Sequence, residues 1–467
     1  MKRRHDGRMA DGSHGTNSGA RRRLTAAARV KPGQLRVIVP LIVAAICWPG
    51  RVHGADESPG LQQSAFSFQG FGTLGAARSN TGDVHVMRNI RQREGISKHW
   101  SVKEDSVIGA QVQYRFSDRV SAMIQAASYY REDGTFEPDV TAAFVKFDPS
   151  PRFSVRLGRV PMDMLMLADT RMVGYSYIPI RPASEFYSVP LNYVDGINAR
   201  WRIPVGEGIL SLDGTAGYAR EDLPKYHFSG AKAYKGMIDY QVGDWQFRYY
   251  YAKAKLAHDN PDLVSLRQYL GILTNPALAA YDPALAASAA GISDRFEVKN
   301  QTSVYESLGV GYDDGAWQVQ VVIDAMKHDN ASLTNGKGLH AFFGRRIGAV
   351  TPYFAYSRNK TEPKHAAQLP APLYPMLPLS PTATLGPLVT GLNTALAQAM
   401  YSSRTKVNSE TYTIGARWDF RRNWALKAQI EHLRGGKPVS SFADTSNVKS
   451  RWNGKATLFC ISLDFVF

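Results

Sequence analysis

Apolar and polar side chains alternate in this sequence with a period of two residues, and the last eleven residues show the pattern most clearly. From Thr457 to Phe467, the odd positions from 459 onward carry Phe, Ile, Leu, Phe and Phe, while the even positions include Cys, Ser and Asp. Because successive side chains of a strand point to opposite faces, one face of this strand suits lipid and the other suits water. The pattern favours the closing strand of a barrel with an interfacial aromatic residue, and the alternative is an amphipathic strand of a soluble sandwich.

The same alternation recurs along the chain. Ile108, Val112 and Tyr114 share one face of a predicted strand whose other face carries Gln111 and Gln113. The predicted strands are 64–77, 106–116, 119–131, 139–148, 152–160, 193–204, 208–220, 232–242, 245–255, 301–312, 316–327, 338–347, 351–360, 409–420, 424–434 and 455–467. Their number is even, as a single-chain bacterial barrel requires.

The connections between these strands alternate strictly in length. Seven are short turns, such as 117–118 and 243–244. Eight are longer loops, of which 132–138 is the shortest and 361–408 the longest. Short periplasmic turns opposite long external loops are typical of a transmembrane β-barrel, whereas a soluble sandwich has no reason to alternate in this way. We therefore predict an all-β fold, a transmembrane antiparallel β-barrel of about 16 strands.

An export signal precedes the predicted barrel. Residues 36–48 read RVIVPLIVAAICW, an apolar segment that follows several basic residues and is too short to cross a bilayer as a helix. Cleavage after Gly54 places Val52 at position minus three. Residues 1–55 are thus predicted to be a signal peptide with a long N-terminal extension that is removed, and 56–467 the barrel domain. A translation start downstream of Met1 is left open.

Charge and composition agree with export. The chain has 56 Lys and Arg residues, 11 of them before residue 56, and 40 Asp and Glu residues, 2 of them before residue 56. The predicted mature chain therefore has 45 basic and 38 acidic residues. This modest, dispersed excess argues against nucleic-acid binding. The mature chain keeps one cysteine, Cys460, so it forms no intrachain disulfide.

No motif specifies a cofactor or a reaction. Residues 70–75 match G-x-G-x-x-G, but they lie within the first predicted strand with no helix after them, so the glycines are predicted to permit close packing. The histidines are scattered and no nucleophile motif occurs, so we expect no metal site, no cofactor and no enzyme activity.

Two of the long loops have biased compositions. Residues 276–287 repeat Pro-Ala-Leu-Ala-Ala twice, and 366–400 are rich in Pro, Leu and Ala. Exposed apolar loops of this kind are predicted to pack over the barrel mouth or against a neighbouring subunit. The alternative is that they are disordered.

The segment 161–192 is the most distinctive of the loops, with acids, bases, tyrosines and prolines. It follows LGRVPMD, the first strand reads FSFQGFGTLGA and the chain ends in FVF. In these features the chain resembles the Gram-negative general porin family, in which a third loop folds into the barrel and narrows it. The acidic Pro-Glu-Phe-Gly-type sequence of many enteric porin loops is absent, so the resemblance does not fix the constriction residues. The alternative is an ordinary external loop.

The resemblance implies an outer-membrane channel for passive diffusion of small hydrophilic solutes, with charge at the constriction setting selectivity. Strand parity and the third loop supply the candidate pore-lining and constriction residues: Arg156, Arg200, Arg202, Arg248, Lys427, Asp163, Asp169, Arg171, Tyr175, Arg181 and Glu185. The excess of wall arginines predicts a mild anion preference. The alternative function is selective uptake of an organic anion or aromatic acid.

The resemblance also implies the partners of the chain. These are outer-membrane lipid, two further copies in a homotrimer, and the barrel-assembly machinery, which would read the C-terminal strand with Phe467. No nucleic acid is expected among them.

Overall fold

The structure is a computed structural model of the 467-residue chain. It describes residues 65–162, 166, 170–181, 191–220, 229–435 and 447–467. The predicted signal peptide, residues 1–55, lies outside the described residues. So do three predicted site residues, Asp163, Asp169 and Glu185.

Sixteen strands form one closed antiparallel barrel. They are β1 (Phe66–Ser79), β2 (Val107–Arg115), β3 (Val120–Tyr129), β4 (Asp139–Ser150), β5 (Phe153–Pro161), β6 (Tyr193–Val205), β7 (Gly208–Ala219), β8 (Ala231–Val242), β9 (Trp245–Leu256), β10 (Thr302–Asp313), β11 (Trp317–His328), β12 (Asn335–Arg345), β13 (Val350–Glu362), β16 (Asn408–Arg421), β17 (Trp424–Arg434) and β18 (Lys455–Val466). Each predicted strand overlaps one of them, so the predicted all-β barrel and its strand count are confirmed.

The barrel closes where β1 pairs with β18 over nine residue pairs. Beyond this ladder the Phe467 N–H donates to the Gly70 carbonyl at 2.9 Å, and the Gly70 N–H donates to the Phe467 carbonyl at 2.8 Å. The rings of Phe467 and Phe465 lie over Gly70 and Gly72, where a Cβ atom would overlap them. Gly70 and Gly72 therefore serve close packing at the seam, and Gly75 allows close packing against Asp105, as predicted.

The distribution of apolar and polar side chains over the two faces of the barrel wall is the reverse of that in a soluble protein. Outward side chains are apolar and exposed, as with Leu157 (64%) and Ile414 (57%). Inward positions include polar side chains that are almost fully buried, such as Ser357, Lys427 and Asp464. A wall that exposes apolar groups outside and collects polar groups inside matches an apolar solvent around the barrel.

Aromatic side chains cluster on the outside near the short turns. Ring pairs with centroids 4.9–6.2 Å apart are Trp245–Phe247, Trp245–Tyr312, Trp317–Phe343, Trp418–Phe420 and Trp424–Phe465. Such a girdle marks a boundary between lipid and water.

Two long loops are helical, which the strand analysis did not predict. The helices are α1 (Pro261–Leu273), α2 (Pro276–Tyr281), α3 (Pro283–Arg295), α4 (Leu385–Ala399) and α5 (Tyr401–Arg404), and a small ribbon pairs β14 (Pro378–Ser380) with β15 (Ala383–Thr384). Leu270, Phe296 and Leu396 are completely buried in one apolar cluster that both loops build. These two loops thus pack against each other. No helix among the described residues is long and apolar enough to cross a bilayer.

Candidate functional site

The described part of loop 3 (residues 162–192) lies inside the barrel. Its short 3₁₀ helix, Gly174–Ser176, rests against the inward faces of β1 and β18. A Cβ atom at Gly174 would overlap the side chains of Thr73 and Asp464, so only glycine fits this close approach.

Lys427 on β17 fastens the loop to the wall. Its Nζ donates to the carbonyls of Gly174 at 2.8 Å and Pro179 at 3.2 Å, and lies 2.9 Å from the carboxylate of Asp464. Asp464 also accepts a hydrogen bond of 2.5 Å from the Thr73 hydroxyl. Both members of the ion pair are buried, and a buried charge is stable only when it is paired and hydrogen-bonded in this way.

Two further wall side chains bind the same stretch of loop. Arg417 donates to the carbonyls of Tyr175 at 2.6 Å and Tyr177 at 2.8 Å, and its guanidinium lies 4.6 Å from the centre of the Tyr175 ring. The side-chain oxygen of Gln429 accepts from the Ile180 N–H at 2.9 Å. The wall side chains thus contact mainly backbone groups of the loop, so these contacts do not depend on particular loop side chains.

The first part of loop 3 packs on a different stretch of wall. Met162 and Met166 are buried with Tyr250, Tyr305 and Val322 in an apolar cluster. Loop 3 is therefore held by apolar contacts on one stretch of wall and by hydrogen bonds on another.

Loop 1 (residues 80–106) also reaches the interior. Arg88 donates to the carboxylate of Glu431 at 2.6 and 2.7 Å, its Nε lies 3.2 Å from Asp105, and its NH2 group donates to the Cys460 sulfur at 3.0 Å. Burial lowers the pKa of Arg88, but the carboxylates of Asp105 and Glu431 outweigh it and leave that pKa well above its ordinary value. Arg181 of loop 3 donates to the Asp105 carbonyl at 3.2 Å, so loop 1 and loop 3 are joined.

A cavity of about 100 Å³ lies between these two loops. Its lining residues include Arg88, Arg91, Arg171 and Arg181. The structure therefore brings together Arg171 and Arg181, two of the predicted loop residues, with two loop 1 arginines that the sequence analysis did not select.

Two predicted arginines, Arg200 on β6 and Arg248 on β9, have carboxylate partners on the neighbouring strands. Arg200 lies 2.9 Å from Asp213, which is also 3.0 Å from Lys235, and Arg248 lies 2.7 Å from Asp239. These partners were missed because strand periodicity gives the face of a residue and not the residue opposite it.

The remaining predicted wall arginines lie apart from this cluster. The Arg156 guanidinium is 5.3 Å from the centre of the Phe144 ring, and Arg202 is exposed near the turn at 206–207. Arg171, Tyr175, Arg181 and Lys427 are therefore brought together at loop 3, whereas the arginines on β5, β6 and β9 are spread along another part of the wall.

Several residues that build this site carried only weak sequence signals. They are Arg88, Arg91, Asp105, Asp213 and Asp464. Asp464 could have been found, because it is a carboxylate on the polar face of an otherwise apolar strand. Within the described ranges, no group of three or more His, Cys, Asp or Glu side chains could hold a metal ion.

Comparisons with known proteins found matches among solved structures only. No protein-family model and no curated protein matches the chain. Among solved structures, OmpF of Salmonella typhi in complex with daunomycin has 10% identity and a TM-score of 0.49, over 86% of this chain and 97% of that chain. An anion-selective porin from Comamonas acidovorans has 10% identity and a TM-score of 0.46, over 86% and 99%. The outer-membrane channel DcaP of Acinetobacter baumannii has 10% identity and a TM-score of 0.46, over 87% and 99%.

Proposed function

We propose that the chain is an outer-membrane porin, a water-filled channel for passive diffusion of small hydrophilic solutes. The observation that carries the proposal is the closed barrel of sixteen strands with an apolar exterior, a polar interior and loop 3 fixed inside it. A barrel of this strand number is wide enough to leave an aqueous channel. Loop 3, held to the wall at several points, would narrow that channel.

The proposed selectivity is a mild preference for anions. Loop 3 and loop 1 place Arg91, Arg171 and Arg181 around one interior cavity. A guanidinium stays charged at any working pH, and low-dielectric walls strengthen its field. The preference is mild because many wall bases have carboxylate partners, as Arg200 has Asp213.

The proposed assembly is a homotrimer in outer-membrane lipid, reached after removal of the signal peptide and insertion by the barrel-assembly machinery. The outward faces of β1 to β4 support a protein contact, because they carry small side chains that allow close approach. These are Ala76, Ala110, Ala122, Ala126 and Ala143. The aromatic girdle on the outside supports the lipid contact. We propose no enzymatic role.

The test is conduction in planar lipid bilayers. Full-length mature protein extracted in detergent is expected to give stepwise increases in current, with a zero-current potential of the sign for anion preference under a KCl gradient. The control is the same sample after boiling in SDS, which should give no steps. A correctly assembled barrel that gives no steps would overturn the channel, and a potential of cationic sign would overturn the selectivity.

A further inference from the structure

Methionines are concentrated in the first part of loop 3. Residues 162–172 hold four of the twelve methionines of the chain: Met162, Met164, Met166 and Met172. Met162 and Met166 are buried in the apolar cluster that joins loop 3 to the wall, together with Met237 of β8. A methionine side chain is unbranched and polarizable, so it fills irregular gaps between a loop and a wall well.

Met166 packs closely onto two glycines of β10. A Cβ atom at Gly309 would lie 2.6 Å from the Met166 sulfur, and one at Gly311 would lie 2.8 Å from the Met166 methyl carbon. A contact as close as this leaves no space for a further atom on that side of the sulfur. The first part of loop 3 is thus held to β10 by a tight apolar contact.

The same side chain borders a cavity between loop 3 and the wall. The cavity has a volume of about 160 Å³, and its lining includes Gln246, Gln320 and Phe342 of the wall and Ile178 of loop 3. It has room for several water-sized molecules. A small neutral solute in the barrel therefore has a path to the Met166 thioether from the cavity side.

We propose that Met166 is an oxidation-sensitive site, at which hydrogen peroxide that enters the barrel loosens loop 3. One oxygen atom passes from the peroxide to the thioether: an S–O bond forms, the O–O bond breaks, the sulfur loses two electrons, and the other oxygen leaves as water with both protons. The sulfoxide is polar and larger at the sulfur, so it no longer fits the contact with Gly309. The effect on current rests on the proposed function, because it requires a channel beside loop 3.

The test combines peptide mass spectrometry with bilayer recordings on the full-length mature protein, before and after treatment with hydrogen peroxide. We expect Met166 to gain one oxygen atom, and the open-channel current to fluctuate severalfold more than before treatment. Reduction by the two methionine sulfoxide reductases with dithiothreitol should restore the steady current, because these enzymes return the sulfoxide to the thioether.

Two variants and a control isolate Met166. Met166→Leu keeps an apolar contact without an oxidisable sulfur, so its current should stay steady after treatment. Met166→Gln places a polar group of similar length at the contact, so its current should fluctuate without any oxidant. The matched control is Met376→Leu, which removes a methionine that is 79% exposed in the long loop after β13. It should respond to peroxide as the wild type does.

The outcomes separate the site from the channel. Oxidation of Met376 with Met166 left unmodified would overturn the site, and so would an undiminished response in Met166→Leu. Steady current from protein that is fully oxidised at Met166 would overturn its link to loop 3. Protein that gains oxygen at Met166 and is then cleaved faster by protease within 163–190, but never conducts, would support the site and overturn the channel.

Discussion

At the scale of single residues, Lys427 is a buried charge that depends on several partners. It is fully buried, pairs with Asp464 and donates to two carbonyls of loop 3. A buried ion pair often adds little net stability, but removal of one partner leaves an unpaired buried charge and costs about 3–5 kcal/mol. Lys427 therefore acts as an anchor whose loss affects the loop first.

Replacing Lys427 by Met should release loop 3 from β17. We expect single-channel currents to fluctuate more and the mean conductance to rise, because the loop can move away from the wall. The matched control is Lys337→Met, a lysine on the outer face that pairs with Glu362 at 2.6 Å and is largely exposed. Steady currents in Lys427→Met, equal to those of the control, would show that the loop is held without this side chain.

The wall arginines and their partners should move ion selectivity in opposite directions. Arg156→Gln and Arg200→Gln each remove a positive charge from the interior, so the zero-current potential should shift toward cation preference. Asp213→Asn should shift it toward anion preference, because it removes the carboxylate that Arg200 and Lys235 share. A suitable control is Arg345→Gln, whose guanidinium lies 4.6 Å from the Trp317 ring on the outer face. If Arg200→Gln moves the potential no further than this control, Arg200 is a structural brace.

At the scale of elements, the seam between β1 and β18 combines aromatic and glycine positions. The rings of Phe465 and Phe467 cover Gly72 and Gly70, and backbone hydrogen bonds continue as far as Phe467. Rings that cover glycines in a neighbouring strand both fix the register and shield the backbone. The seam therefore depends on the two strands together.

Deleting Phe467 should lower the yield of assembled protein in the outer membrane while leaving the single-channel conductance of the assembled fraction unchanged. The ring lies on the outside of the barrel, 47% exposed, so its loss does not alter the interior. Gly70→Ala should lower the yield for the same reason, since its Cβ atom overlaps that ring. Gly214→Ala is the control, because a Cβ atom there meets nothing within 4 Å. Normal yield with altered conductance would contradict this role.

The helical loops form a second element with its own apolar core. The Pro-Ala-Leu repeats are two helix starts, where Asn275 and Asp282 accept hydrogen bonds from backbone N–H groups and proline occupies the first turn. Both features favour helix initiation. The composition of these loops is thus explained by helices that pack on each other.

Leu270→Asp should unfold this helical element and leave the barrel intact. Leu270 is completely buried in the cluster, and an unpaired carboxylate there is strongly destabilising. We expect faster proteolytic cleavage within 257–301 and 363–407, with the barrel core preserved. Ile272→Asp, on the same helix but 42% exposed, should behave like the wild type. Equal cleavage of the two variants would mean that the cluster does not hold the loops.

At the scale of the whole molecule, the main property for stability is the closure of the sheet into a barrel. Each of the sixteen barrel strands pairs on both sides, so the sheet has no free edge. An edge is where unfolding and false pairing begin, and only a closed barrel satisfies all backbone groups within lipid. Stability therefore belongs to the complete ring of strands.

The protein should resist SDS at room temperature and migrate at an anomalous position on a gel until it is boiled. Gly70→Ala, which disturbs the seam, should shift this transition to a lower temperature, whereas Gly214→Ala should not. A mature chain that is monomeric and soluble in buffer without detergent would contradict a membrane barrel.

The strand pattern was readable from the sequence because it is local. Alternation over ten or so residues reports which face of a strand meets which environment, and all sixteen predicted segments overlap barrel strands. The helices of the two long loops were missed because their apolar residues are matched to each other across more than a hundred positions. The proline and N-cap residues at the helix starts were the sequence features that could have indicated these helices.

The sequence by itself determined the class of fold, the number of strands, the alternation of turns and loops, and the polar character of the inward face. Only the tertiary structure decided which partners the charged side chains bind. The pairing register and the path of the loops bring Lys427 to the Gly174 carbonyl, Arg88 to Glu431 and Arg200 to Asp213. The physical reason is that periodicity records the solvent on each face of a strand, whereas an ion pair depends on distances between residues that the closed ring brings together.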